Sequence, residues 1–151
     1  QSEWLWESLR RVKISPKGEY YLTDLVELAN RDGKMVQAVV LEDREEALGV
    51  NTRVHLSEAE AIMRKRVNIY WMTEGVTMID PLTTYIDHSV RLERDVTLYP
   101  NTGISGDRLS RSGSRIGPCA LIESSMIGRD CIICRAAVRN RQLEDHTEII
   151  G

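Results

Sequence analysis

The strongest constraint on the fold is a six-residue period that begins at Ile86. Ile86, Leu92, Leu98 and Ile104 stand six residues apart, Leu109 follows after five and Ile116 after seven. Ile122, Ile127 and Ile133 continue at spacings of six, five and six. Residues four after these aliphatics are mostly small: Val90, Val96, Thr102, Ala120, Cys131 and Ala137. Hexapeptide repeats of this kind signal a parallel β-helix. Each hexapeptide makes one short strand and a turn. The large aliphatic and the small residue point into a narrow prism, three hexapeptides close a coil, and each edge pairs with the next. An ordinary β-sandwich of short strands is the competing reading, and nine aliphatics at near-constant spacing weigh against it. The repeat lapses at Arg139-Asn140-Arg141-Gln142 and recovers with Leu143 and Ile149-Ile150-Gly151. It then stops in mid-pattern, without the cap that a solenoid needs. A chain cut short at its C-terminus is the expectation.

Up to about residue 80 the pattern is different. Leu5, Leu9 and Val12 have helical spacing, Ser15-Pro16-Lys17-Gly18 reads as a loop, and a second helix is expected over 21–32 with Gly33 closing it. Met35 to Leu41 is rich in Val and reads as a strand, so the order suits an α/β layer. Ser57 and Glu60 have the spacing of a capping box. That box opens a third helix over about 57–74, with Ile62, Met63, Val67, Ile69 and Tyr70 as its apolar face and Gly75 at its end. Arg64-Lys65-Arg66 reads as its solvated side.

Composition narrows the function. Hydrophobic residues at 42% and charged residues at 28% are ordinary for a globular chain. Twenty basic against 23 acidic side chains give a net charge of −3, which argues against a general nucleic-acid binder. Neither a signal peptide nor an apolar run of transmembrane length is visible, so no membrane partner and a cytoplasmic setting are expected. The chain has no Phe. In the hexapeptide half, a prism that takes Ile, Leu and Val at one inward position and small residues at the other fits that absence. In the first half the large aromatic roles fall to Trp4, Trp6, Tyr20, Tyr21, Tyr70 and Trp71.

Four stretches together carry a family resemblance. They are Gly18-Glu19-Tyr20-Tyr21-Leu22-Thr23-Asp24, Gly49-Val50-Asn51-Thr52-Arg53, Gly75-Val76 with Asp80-Pro81, and the hexapeptides. In order and spacing the chain resembles the bacterial bifunctional N-acetylglucosamine-1-phosphate uridyltransferase/glucosamine-1-phosphate N-acetyltransferase family. The resemblance implies an α/β remnant of a Rossmann-like nucleotidyltransferase domain over residues 1–80, linker helix included. Over 81–151 it implies the first coils of a left-handed parallel β-helix that assembles as a homotrimer. The implied chemistry is Mg²⁺-dependent joining of UTP and N-acetylglucosamine 1-phosphate into UDP-N-acetylglucosamine, and acetylation of glucosamine 1-phosphate by acetyl-CoA.

By the resemblance, Asn51 is the candidate Mg²⁺ ligand, a hard neutral amide oxygen suited to that ion. Glu19, Tyr21 and Thr23 are the candidate residues at the sugar end of the uridyltransferase pocket. Plainer roles stay open: Asn51 as a turn stabiliser after Gly49, and Thr23 with Asp24 as a helix N-cap. The family's Gly-rich phosphate loop is not in this sequence, and the Asp that shares the metal lies upstream of its first residue. The acetyltransferase His lies beyond Gly151, and His55, His88 and His146 are outside its motif. No catalytic residue is therefore assigned, and the chain alone is expected to catalyse neither reaction. A non-catalytic trimerisation or scaffold module is the alternative, as is a nucleotidyltransferase for another sugar.

Cys119, Cys131, Cys134 and His146 could be read as a zinc site, or Cys131 and Cys134 as a redox pair. The repeat register opposes both. Cys131 takes the small inward position, and Cys134, next to inward Ile133, faces out.

Overall fold

The computed structural model describes residues 2–107 and 109–151. It divides into two compact units, Gln1–Glu46 and Ala47–Gly151.

In the first unit, helices α1 (Ser2–Leu9) and α2 (Asp24–Arg31) pack together around Ser8, Leu25 and Ala29. Between them the chain reverses at Pro16-Lys17-Gly18. Ser15 N–H donates to the Glu19 carbonyl at 2.9 Å, and an isolated antiparallel bridge joins Ile14 to Tyr20. Gly33 closes α2 at φ 66°, with Lys34 N–H donating to the Ala29 carbonyl and Gly33 N–H to the Asn30 carbonyl. That pairing satisfies carbonyls a helix end otherwise leaves bare. The strand expected at Met35–Leu41 is not formed. These residues have no ladder partner among the described residues, and Met35, Val39 and Val40 are 80% exposed or more. Val-rich sequence favours a strand only where a neighbouring strand and a packed face receive it. Among its described residues the first unit is thus a helical pair with one bridge, without an α/β layer.

The second unit opens with a short 3₁₀ turn (Arg44–Ala47 spans the division) and the long helix α3 (Arg53–Thr73). The capping box at Ser57 is not the start of this helix. Thr52 lies in extended backbone and its hydroxyl accepts from His55 N–H at 3.2 Å, so a good cap five residues earlier takes the role. Gly75, at φ 99°, ends the helix, with Val76 N–H on the Trp71 carbonyl and Gly75 N–H on the Met72 carbonyl. The expected apolar stripe also shifts. Ile69 and Tyr70 are half exposed, while Asn68 and Trp71 are the buried residues.

A parallel β-solenoid of about four coils follows. Its first face holds β1 (Thr77–Met78), β4 (Thr97–Leu98), β7 (Arg115–Ile116), β9 (Ile132–Cys134) and β11 (Glu148–Ile150). The second holds β2 (Thr84–Ile86), β5 (Thr102–Ser105), β8 (Leu121–Glu123) and β10 (Ala137–Arg139). The third holds β3 (Arg91–Leu92) and β6 (Leu109–Ser110), extended by the bridges Ser110↔Ile127 and Met126↔Gln142. Inward ladders run Met78, Leu98, Ile116, Ile133, Ile149 on the first face and Ile86, Ile104, Ile122, Val138 on the second.

The register corrects two positions. Leu92 pairs with Ser110, which is 2% exposed, so Ser110 and not Leu109 stands in the third ladder. Spacing from Ile104 through Ser110 to Ile116 is then an even six. Val138 takes the ladder position after Ile133, so the small inward residue two before it is Ala136, with Ala137 outside. Thr84, Val90, Val96, Thr102, Ser114, Ala120, Ser125 and Cys131 fill the same small position and are all buried. The hydroxyls among them serve backbone: Ser114 Oγ donates to the Gly128 carbonyl at 2.8 Å and accepts from Cys131 N–H at 3.1 Å.

Coil length falls along the axis. Leu98 to Ile116 is 18 residues, Ile116 to Ile133 is 17 and Ile133 to Ile149 is 16. The missing residues come from corners: Ile122 to Ile127 and Ile133 to Val138 are five apart where the preceding coil uses six. Left-handed backbone marks the corners in columns, one through Asn101, Cys119 and Arg135.

Candidate functional site

Glu19, Tyr21 and Thr23 lie in the first unit, and Asn51 in the second. Glu19 is exposed where the chain leaves the turn, and its N–H donates to Ser15 Oγ at 3.3 Å. Tyr21, 38% exposed, lines a hollow of about 420 Å³ with Leu9, Arg10, Val12, Tyr20 and Leu22. Thr23 precedes α2 in helical backbone, and its side chain makes no capping bond. The plain capping role weighed for it is therefore not what this geometry contains. Of the three residues, Tyr21 alone lines the hollow. Asn51 is exposed just before the Thr52 cap, and its N–H donates to His55 Nδ1 at 3.3 Å. No group of three or more His, Cys, Asp or Glu suited to a metal occurs among the described residues. One amide oxygen does not by itself hold Mg²⁺, which takes near-octahedral oxygen ligands. The residues described here do not compose a magnesium centre.

The strongest electrostatic feature of the first unit was not expected. Asp32 accepts from Trp4 Nε1 at 2.8 Å and from both terminal nitrogens of Arg11 at 2.6 and 2.9 Å. The Arg11 hydrogen bonds, followed by that from Trp4, hold the carboxyl down to about 2, and Asp32 in turn raises the Arg11 guanidinium. The knot ties α1 and the segment after it to the end of α2.

In the second unit a groove of about 350 Å³ runs where α3 crosses the second solenoid face. Glu60, Arg64, Tyr85, Asp87, His88 and Ser105 supply its polar lining. The Arg64 guanidinium sits 4.5 Å from the Tyr85 ring centroid, a cation–π contact. Arg64 is therefore not merely part of a solvated basic run. Its spacing from Asn68 and Trp71, at i, i+4 and i+7, is the signal that marks the packed side of α3. Asn68 Nδ2 donates to the carbonyls of Pro81 at 2.8 Å and Thr84 at 3.0 Å, pinning the helix to the first coil. The three thiols are free: Cys119 is exposed, Cys131 buried and Cys134 half-buried.

No helix among the described residues is long and apolar enough to cross a membrane. No protein-family model matches the chain. It is 40% identical over 149 residues to the bifunctional protein GlmU of Shouchella clausii, covering 98% of this chain and 33% of that one. The bifunctional protein GlmU of Exiguobacterium sibiricum is 40% identical over 143 residues, covering 94% and 32%. That of Caldanaerobacter subterraneus is 42% identical over 133 residues, covering 88% and 29%. The chain thus spans about a third of the length of the relatives it matches. Similarity that runs through both the helical unit and the solenoid makes the chain a relative of the bifunctional GlmU proteins, matched to about one third of their length.

Proposed function

We propose that this chain serves within an enzyme that makes UDP-N-acetylglucosamine from UTP and N-acetylglucosamine 1-phosphate and acetylates glucosamine 1-phosphate with acetyl-CoA. The observation that carries the reading is the 40% identity to bifunctional GlmU proteins across nearly the whole chain, solenoid included. On this reading residues 1–80 belong to a Rossmann-like nucleotidyltransferase domain with its linker helix. Residues 81–151 begin a left-handed, trimer-forming β-helix, and the work is cytoplasmic. Glu19, Tyr21 and Thr23 would face the sugar, through hydroxyl and carboxylate hydrogen bonds of the kind that fix a polar substrate. Asn51 would lend one oxygen to Mg²⁺ whose other ligands come from elsewhere. That ion supplies charge neutralisation during nucleotidyl transfer.

The 151 residues alone are expected to form neither product. The assay supplies UTP, N-acetylglucosamine 1-phosphate and Mg²⁺ in one arm, and glucosamine 1-phosphate with acetyl-CoA in the other. Turnover in either arm overturns the expectation of an inactive chain. The parent reading frame tests the enzyme reading itself. An upstream Gly-rich loop with Arg and Lys supports it, and a parent without that loop favours the scaffold alternative.

A further inference from the structure

The spacing Cys131-Ile132-Ile133-Cys134 invites pairing of those two thiols, but the solenoid wall separates them. Cys131 is fully buried on the inward side, its Sγ 3.2 Å from the Glu144 carbonyl, and Cys134 stands on the outer side beyond inward Ile133. The other outward cysteine, Cys119, lies in the coil below. Gly117 N–H donates to the Ile133 carbonyl at 2.8 Å and Arg135 N–H donates to the Pro118 carbonyl at 2.9 Å. Those bonds set Arg135 over Cys119 and leave Cys134 one residue along from it. Coils about 4.8 Å apart and a Cα step of about 3.8 Å place the two cysteine Cα atoms roughly 6 Å apart. A disulfide needs about 4.4–6.8 Å. Both residues sit on the outside of one corner, where Cys119 has left-handed backbone at φ 56° and is exposed.

We propose that Cys119 and Cys134 form an oxidant-driven disulfide that staples neighbouring coils at this corner. The oxidant is a low-molecular-weight disulfide such as oxidised glutathione. The exposed Cys119 thiolate attacks it, forming a mixed disulfide and releasing one glutathione thiolate. Cys134 then attacks the protein sulfur of that adduct, forming the S–S bond and expelling the second glutathione. Two protein thiols lose two electrons, and the oxidant becomes two thiols.

The full chain is incubated with oxidised glutathione, unfolded, labelled with a maleimide and mapped without reduction. Two of the three thiols become protected from the maleimide, one cross-link that a thiol reductant cleaves joins the Cys119 and Cys134 segments, and Cys131 takes the label. Cys119→Ser and Cys134→Ser each abolish the cross-link, and the remaining outer thiol of each stops at the glutathione adduct. Cys131→Ser leaves the cross-link intact. Three labelled thiols, stable glutathione adducts in the unmutated chain, a Cys131–Cys134 link or a link between two chains would each overturn the proposal.

Discussion

Asp32 concentrates three donors on one carboxylate, and this sets a pH response for the first unit. Its ionised form is favoured in the folded state, so its value falls from 3.8 to about 2. The stabilisation is complete above the unfolded value of 3.8 and is lost as pH falls through about 2. A ¹³C titration of the Asp32 carboxyl should find its midpoint near the lower figure. Arg11→Ala removes the largest cause and should return the midpoint toward the ordinary carboxylate range, while an unmoved midpoint would exclude the guanidinium as the cause. Nothing in the sequence announces this knot. Trp4 and Arg11 are 28 and 21 residues from Asp32, and only the packing of two short helices brings them together. Ser110 presents the same difficulty in the solenoid. Its polar side chain hides a ladder position that Leu109, one residue earlier, mimics.

Helix α3 shows how far element boundaries can be read from local signals. Gly75 as its end was legible, because a left-handed closing residue is a local requirement. Its start was not, since Thr52 and Ser57 are equally good caps in isolation and the one that opens the longer helix prevails. The Met35–Leu41 segment failed for a different reason: a strand exists by virtue of its neighbour, and no neighbour is present among the described residues. The bond that matters most for α3 is made by a residue of low helix propensity. Asn68→Ala strips the Pro81 and Thr84 carbonyls of their donor in a site where Asn68 is 1% exposed. The expected cost is about 1–3 kcal/mol, read as a lowered urea midpoint of the second unit. An unchanged midpoint would mean that apolar contacts of Val67 and Trp71 hold α3 without the pin. Of the residues expected around a sugar or a metal, the sequence marks the motifs but not their meeting. Asn51 belongs to a different compact unit from Glu19, Tyr21 and Thr23.

At the scale of the whole molecule, the solenoid was the most legible part, because one inward ladder repeats in sequence what it repeats in space. The period of six reported the architecture, and departures from it reported the corners. A ruler fixed at six and started from Ile86 would put Gly128, Cys134, Asn140 and His146 inside. Asn140 and His146 instead have left-handed backbone and lie exposed at corners. The falling coil length has a further consequence, for what the chain can tolerate. Corners at Ser124 and Arg135 each hold one residue fewer than the coil beneath them. They are therefore places where the chain can lengthen without turning any core side chain outward. A single Gly inserted after Ser124 should leave the urea midpoint nearly unchanged, costing about 0.6 kcal/mol or less. The same insertion between Arg115 and Ile116 reverses the inward and outward sides of β7 and should unfold the coils around it. Equal losses at both sites would mean that corner length, as much as the ladder, is fixed by packing. If the corners do accept added residues, the shortened coils amount to graft points built into the prism, where a loop could be installed on the wall without disturbing what fills it.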